Sequence, residues 1–136
     1  MMTGVDIPPI VEQATRRGSV IWVALDGARP RPVWHVWHDG CVWLVVGGLE
    51  QQLVGAPGAD RAAVAVRSKD RQGGLLVTWL AEVSRVQPGS AQWEDVVPRL
   101  HAARLNAPDG EQQPVRWARD SAVLCLRPTG DLVAPS

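Results

Sequence analysis

The sequence predicts a mainly β, α+β protein in which five or six antiparallel strands form a small barrel with a few helices packed on it. Three observations support this prediction. Most apolar runs are short and end at turn-forming residues such as the Asp39–Gly40 pair. Only one long stretch, after Ser90, has helical periodicity. The 136 residues fit one domain, 1–136, that buries about 65–70% of the surface of its unfolded chain.

The chain is predicted to begin with a short helix and a buried strand. Pro9 to Arg17 has proline at its start and Gly18 at its end, the usual asymmetry of a helix. Ser19 to Leu25 is apolar on both faces, which favours a strand that is covered on both sides. We expect the ordered part to span about 9–128, followed by a loose C-terminal tail.

A tryptophan-rich hairpin follows in the stretch VWHVWHDGCVWLVVG. The sequence predicts strands over Val33 to Trp37 and Cys41 to Gly47, joined by a turn at His-Asp-Gly, because Gly accepts the positive φ of such turns. Trp34 and Trp37 lie three apart, so they point to opposite faces. One indole is therefore predicted to face the barrel interior and the other a helix or a partner chain.

Two further strands are predicted after a Gly- and Pro-rich loop over 47–60. Ala62 to Ser68 is β-rich, 69–74 reads as a turn, and Leu75 to Val86 alternates between apolar and polar residues. Ser90 is an expected N-cap for a helix with the stripe Trp93, Val96, Val97 and Leu100.

Pro98 predicts a kink in this helix and a second helix that ends near Asn106. We expect a loop over 107–114 and a final strand from Ser121 to Pro128.

Composition excludes several classes of function. The 14 basic residues balance the 14 acidic ones, so no broad positive field favours nucleic acid. No apolar run reaches the roughly 18–20 residues of a membrane span, and no signal peptide is recognisable. We therefore expect a soluble cytoplasmic protein with no nucleic-acid or membrane partner. Cys41 and Cys125 each lie in an apolar run and are expected to be buried free thiols.

The three histidines do not predict a metal site. His35 and His38 would leave opposite faces of a strand, so they cannot converge on one ion. We expect the His38 ring to be solvated in the turn and His101 to lie on the flank of the late helix. Trp34, His35 and Trp37 are open to two interpretations, core packing or a wall for a flat cofactor.

Arg67, Ser68 and Lys69 form the most specific candidate for ligand binding. If the strand continues, Arg67 and Lys69 share a face at about 7 Å spacing, and Ser68 adds a hydroxyl, which together suit one phosphate group. The alternative is a solvated strand end.

With these elements in place, the chain resembles a known family from about Arg17 to Pro128. VALDGARPRPVWHVWHDGCVWLVV is similar to the first three strands, and LLVTWLAEVSRVQPGSAQW to the long strand, of the pyridoxamine 5'-phosphate oxidase-like split β-barrel proteins. These proteins bind FMN or an 8-hydroxy-5-deazaflavin coenzyme. The resemblance implies a six-stranded split barrel, a homodimer, and a cofactor at the dimer interface with its phosphate held by Ser or Thr and Lys or Arg.

One stretch departs from that family. Many members have Thr or Ser followed by Lys after the third strand, whereas here Gly47 to Gln52 reads GGLEQQ, and Glu50 would repel a phosphate. We therefore predict an FMN- or deazaflavin-binding, oxidoreductase-like homodimer in which Arg67, Ser68 and Lys69, or arginines of the partner chain, take the phosphate. Trp34, His35 or Trp37 would wall the ring, and no catalytic residue is assigned. The alternative is a cofactor-free split-barrel dimer that acts as a binding or structural module.

Overall fold

The structure, a computed structural model, describes residues 6–18, 20–56, 58–68, 73–104 and 110–133. These residues form three α-helices, one 3₁₀ turn and seven strands, in the chain order α1 (Pro9–Arg17), β1 (Val20–Leu25), β2 (Arg31–Trp34), β3 (Val36–His38), β4 (Cys41–Val46), β5 (Arg61–Arg67), β6 (Leu75–Val86), α2 (Ala91–Ala103), the 3₁₀ turn (Gly110–Gln112), α3 (Gln113–Asp120) and β7 (Ala122–Leu132). The mainly β character predicted from the sequence is confirmed.

All strands belong to one curled antiparallel sheet with the order β2-β1-β5-β6-β7-β4-β3. The prediction of six strands differs from this result, because residues 33–37 do not form one strand. The chain pairs with β1 up to Trp34 and with β4 from Val36 onward, so His35 alone separates two strands that lie at opposite edges of the sheet. The sheet must therefore curl until its two edges meet at this residue, which agrees with a split barrel in the broad sense.

The concave side of the sheet encloses the larger hydrophobic core. Alternate residues of every long strand point inward, including Ile21, Val64 and Leu124, each with no exposed surface. Helix α1 packs over one opening of the curl. Its Thr15 hydroxyl accepts a hydrogen bond from the Trp79 indole at 3.1 Å, and Trp79 in turn meets Trp37 edge to face at 6.4 Å between ring centroids.

A second core lies on the convex side, between β4, β7 and the two later helices. Leu100 of α2 and Trp117 of α3 are fully buried there, and Trp34 packs against this cluster while Trp37 packs against the first. The two indoles thus occupy opposite faces, as their spacing predicts. The break at His35 leaves the alternation of side chains unchanged.

Three predictions near the C-terminus are corrected by the structure. Helix α2 continues from Ala91 to Ala103 through Pro98, whose side of the helix is exposed, so the carbonyl that loses its partner faces water. Residues 113–120 form a helix. The sequence predicts a loop up to residue 114 and assigns no element to residues 115–120. Strand β7 extends to Leu132, past the expected end at Pro128. Ser19, the expected helix end at Asn106 and the tail from residue 134 lie outside the described residues.

Candidate functional site

The predicted phosphate-binding residues lie at the end of β5, beside α1. Arg67 and Ser68 line a pocket of about 310 Å³, whose far wall is the C-terminal turn of α1 with Arg17. Arg67 is exposed and donates a hydrogen bond from Nη1 to the Gly73 carbonyl at 3.3 Å. Lys69, the third predicted member, lies outside the described residues. The pocket therefore combines two guanidinium groups and a hydroxyl, a donor set that suits phosphate.

His35 is held beneath α1. Its Nε2 donates a hydrogen bond to the Thr15 carbonyl at 3.0 Å, while Nδ1 is buried and has no partner among the described residues. Burial disfavours the charged ring and keeps the pKa of His35 below its ordinary value, against the smaller opposite effect of the Thr15 hydrogen bond. The ring is therefore neutral near pH 7 and anchors the helix to the sheet.

The two tryptophans of this segment face different surroundings. Trp37 lines a pocket of about 400 Å³ on the other side of α1, together with Gln13, which also lines the Arg67 pocket. Trp34 lies on the convex face, where the Arg104 guanidinium stands 5.6 Å from its ring centroid. Trp34, His35 and Trp37 thus do not form one continuous wall, and none of the three lines the pocket of the predicted phosphate clamp.

The stretch from Gly47 to Gln52 differs from what its sequence suggests. The Glu50 side chain is 1% exposed and pairs with Arg116, itself 7% exposed, and with Arg104, each at 3.2 Å. The expectation that Glu50 repels a phosphate is therefore wrong, because two arginines neutralise its carboxylate inside the fold. Gln51 receives a hydrogen bond from the backbone nitrogen of Trp34 at 3.0 Å and donates one to its carbonyl at 2.9 Å.

An exposed apolar face covers the outside of β1, β5 and β6. Trp22 lies opposite Ala65, and Ala63 lies opposite Leu80, all on the convex side of the sheet. Trp22 and Leu80 keep 37% and 36% of their surface exposed. The face runs along β5 to Arg67, so an apolar surface and a cationic pocket adjoin. In the sequence, this exposed apolar face is indicated by the apolar residues on both faces of Ser19 to Leu25.

The remaining histidines have protein partners. His38 is not solvated as expected, since its Nε2 donates to Asp95 Oδ2 of α2 at 3.1 Å. This contact, together with Arg99, holds the pKa of Asp95 below its usual value. His101 Nδ1 donates to Gln113 Oε1 at 2.9 Å. In the described part of the chain, no cluster of three or more His, Cys, Asp or Glu side chains is arranged to hold a metal ion.

No protein-family model and no curated protein matches the sequence. Solved structures do match. The heme storage protein HutZ from Vibrio cholerae has a TM-score of 0.58 at 12% identity, with 94% of both chains covered. The general stress FMN/FAD binding protein from Xanthomonas citri has a TM-score of 0.55 at 15% identity, covering 93% of this chain and 88% of its own. An F420 reductase has a TM-score of 0.52 at 16% identity, covering 87% and 92%.

These likenesses confirm the predicted resemblance at the level of the fold. The chain has the split-barrel architecture of structures described as flavin-binding, F420-reducing and heme-storing. In the described ranges, no helix has both the length and the apolar character needed to cross a membrane.

Proposed function

We propose that the protein binds FMN or an 8-hydroxy-5-deazaflavin coenzyme between two copies of the chain and acts as a flavin-type oxidoreductase. The observation that carries this proposal is the exposed apolar face that adjoins the Arg67 pocket on a split-barrel scaffold. A bound flavin or deazaflavin supplies hydride transfer, so the chain needs to supply position and charge. The two free thiols suit a reducing compartment, and the proposal includes a cytoplasmic location.

The phosphate is assigned to the pocket at the end of β5. Arg67 and Arg17 bring charge from two different elements, and Ser68 adds a hydroxyl. Lys69 follows directly in the sequence and belongs to the same proposal. Guanidinium groups bind phosphate with paired, charge-assisted hydrogen bonds that are stronger than those between neutral groups.

The ring system is assigned to the apolar surface beside that pocket. Ala63 and Ala65 leave a flat strip between the bulkier Trp22 and Leu80, which a planar group can cover. Trp37 packs on the concave side against Trp79 and lines the pocket across α1, so the proposal gives it no contact with a ring on this convex strip. His35 is held under α1 and Trp34 packs against the second core, so the proposal assigns neither of them a contact with the ring.

A second copy of the chain is the proposed cover for the apolar face. Trp22 and Leu80 remain more than a third exposed in the single chain, and the patch continues through Val20 and Leu76, at 49% and 51%. Exposed contiguous apolar surface of this kind is typical of interaction sites. Leu80→Asp should therefore shift the protein toward the monomer in analytical ultracentrifugation at micromolar concentration, whereas Arg29→Asp, in an exposed loop, should not.

The decisive experiment is a titration with FMN and, separately, with the deazaflavin coenzyme. Saturable quenching of tryptophan and cofactor fluorescence is expected for one of them. The Arg67→Ala, Lys69→Ala double variant should bind at least about tenfold more weakly, because each charged hydrogen bond contributes about 1.5–3 kcal/mol. Arg61→Ala, at the opposite end of β5, is the matched control. Equal affinity of the double variant would exclude the clamp.

A cofactor-free dimer is the second candidate, and one observation favours it. In the stretch where the family places phosphate contacts, Glu50 pairs with Arg104 and Arg116. The charges of these two arginines therefore neutralise a carboxylate inside the fold. A dimer that binds neither cofactor in the titration would select this candidate. A monomer that binds neither would exclude both.

A further inference from the structure

A cavity of about 430 Å³ lies at the turn between β3 and β4, beside β7 and the first turn of α2. This volume is within the roughly 300–1,000 Å³ of small-molecule pockets. The lining comes from four separate parts of the chain and includes Ile7, Asp39, Trp43, Gln92, Arg127 and Pro128. None of these residues lines the Arg67 pocket, so the cavity is separate from the proposed cofactor site.

The floor of the cavity is apolar. Trp43 and Cys41 are buried residues of β4, and Pro128 is a buried residue of β7. Ile7 adds a partly exposed apolar side chain to the rim, with 36% of its surface exposed. An apolar group that enters this cavity leaves water, which favours a ligand with an apolar body.

Two opposite charges border this floor. Asp39 lies in the turn of the hairpin, and Arg127 follows Leu126, which lies opposite Val42 of β4. Both side chains belong to exposed residues, and no ion pair joins either of them to another residue in the part of the chain that the structure describes. Glu82 lies opposite Arg127 in β6 but does not line the cavity. The cavity therefore offers a ligand one acid and one base.

We propose that this cavity binds a small zwitterion with an apolar body, of the class of the apolar and aromatic α-amino acids. Arg127 donates hydrogen bonds to the carboxylate of the ligand, and Asp39 accepts them from its ammonium group. Guanidinium and carboxylate groups form paired, charge-assisted hydrogen bonds, which also fix the orientation of the ligand. The apolar side chain lies against Trp43 and Pro128. A ligand with a single charge leaves Asp39 or Arg127 without a partner, so the zwitterion binds more tightly.

The direct test titrates the full chain with three matched ligands in a calorimeter. L-phenylalanine has both charges, N-acetyl-L-phenylalanine lacks the ammonium group, and L-phenylalaninamide lacks the carboxylate. We expect saturable binding of phenylalanine and at least about threefold weaker binding of each derivative. In NMR spectra the backbone amide of Gly40 and the indole N–H of Trp43 should shift. Absence of saturable binding at millimolar concentration, or equal affinity for all three ligands, overturns the proposal.

Two variants assign the charges separately. Asp39→Asn keeps a residue that tolerates the positive φ of 53° at this turn. It should weaken phenylalanine and phenylalaninamide at least about threefold and leave N-acetyl-phenylalanine unchanged. Arg127→Gln should weaken phenylalanine and N-acetyl-phenylalanine and leave the amide unchanged. Arg29→Gln, in an exposed loop, is the control and should change none of the three affinities. Variants that weaken all three ligands alike, or none of them, would refute the proposal.

Discussion

The buried charge cluster around Glu50 gives the sharpest prediction for stability. Arg116→Met removes one of the two cations that neutralise a carboxylate with 1% exposure, and methionine fills much of the same space. Removing one partner of a buried ion pair costs about 3–5 kcal/mol, because the remaining charge stays buried without compensation. Arg104 still contacts the carboxylate, so we expect the low end of that range, about 3 kcal/mol.

Arg104, the second cation of the cluster, gives a comparison with Arg116 at the same carboxylate. The Arg104 side chain is 32% exposed, and it also lies over Trp34. Arg104→Met should therefore lower the free energy of unfolding by only about 1–2 kcal/mol, from a partly solvated pair and a cation–π contact. Arg99→Met, which removes a pair with Asp95 whose side chains are 53% and 51% exposed, should change it by less than about 0.5 kcal/mol.

Urea unfolding followed by tryptophan fluorescence measures these differences. With a slope of about 2 kcal/mol per M, the midpoint of Arg116→Met should fall by about 1.5 M. The Glu50→Gln, Arg116→Met double variant should lose less than the sum of the single variants by more than about 1 kcal/mol, since the two side chains interact. An Arg116→Met midpoint within about 0.25 M of the unchanged protein, or additive losses, would refute this account of the cluster.

Three further predictions concern α1 and α2. Thr15→Val leaves the buried Trp79 indole N–H without an acceptor and should lower the free energy of unfolding by about 1–3 kcal/mol in the same urea assay, whereas Thr15→Ser should lower it less. Because the pKa of His35 is lower in the folded state, the unfolded state binds the extra proton, so stability should fall as pH decreases below about 6.5; the urea midpoint of His35→Gln should depend less on pH, and an identical dependence would contradict this. Pro98→Ala restores a hydrogen bond to the Glu94 carbonyl on the exposed side of α2 and should stabilise the protein by about 1–2 kcal/mol, measured as a higher melting temperature.

The sequence predicts those parts of the fold that depend on local pattern. Helix α1 and strand β6 have the predicted bounds, because proline, glycine and the alternation of side chains act over neighbouring residues. Helix α3 is missed because it is only eight residues long and half of them are polar, and its buried side includes Gln113 and Arg116 beside Trp117. The break at His35 is missed because the residues on both sides are equally suited to a strand. The two strands separate because β2 pairs with β1 and β3 pairs with β4.

The candidate sites show the same limit more strongly. Arg67 and Ser68 are neighbours in the sequence, so their joint position at a strand end is predictable. Glu50 pairs with two arginines that lie 54 and 66 positions further along the chain. The neighbouring residues in GGLEQQ indicate the charge of Glu50 but not its partners. Asp39 and Arg127 border one cavity because β4 pairs with β7, which no nearby residue indicates. Long-range pairing therefore decides the chemistry that the local sequence leaves open.

The position of β7 has a consequence for the order of folding during synthesis. Although β7 is the last of the seven strands in the chain, it lies inside the sheet, between β6 and β4. Until residues 122–132 leave the ribosome, the hairpin of β3 and β4 has no neighbour to connect it to β5 and β6, and both hydrophobic cores lack one side. The sheet must therefore stay open until β7 has been synthesised, and such dependence on distant pairing is typical of slow folding.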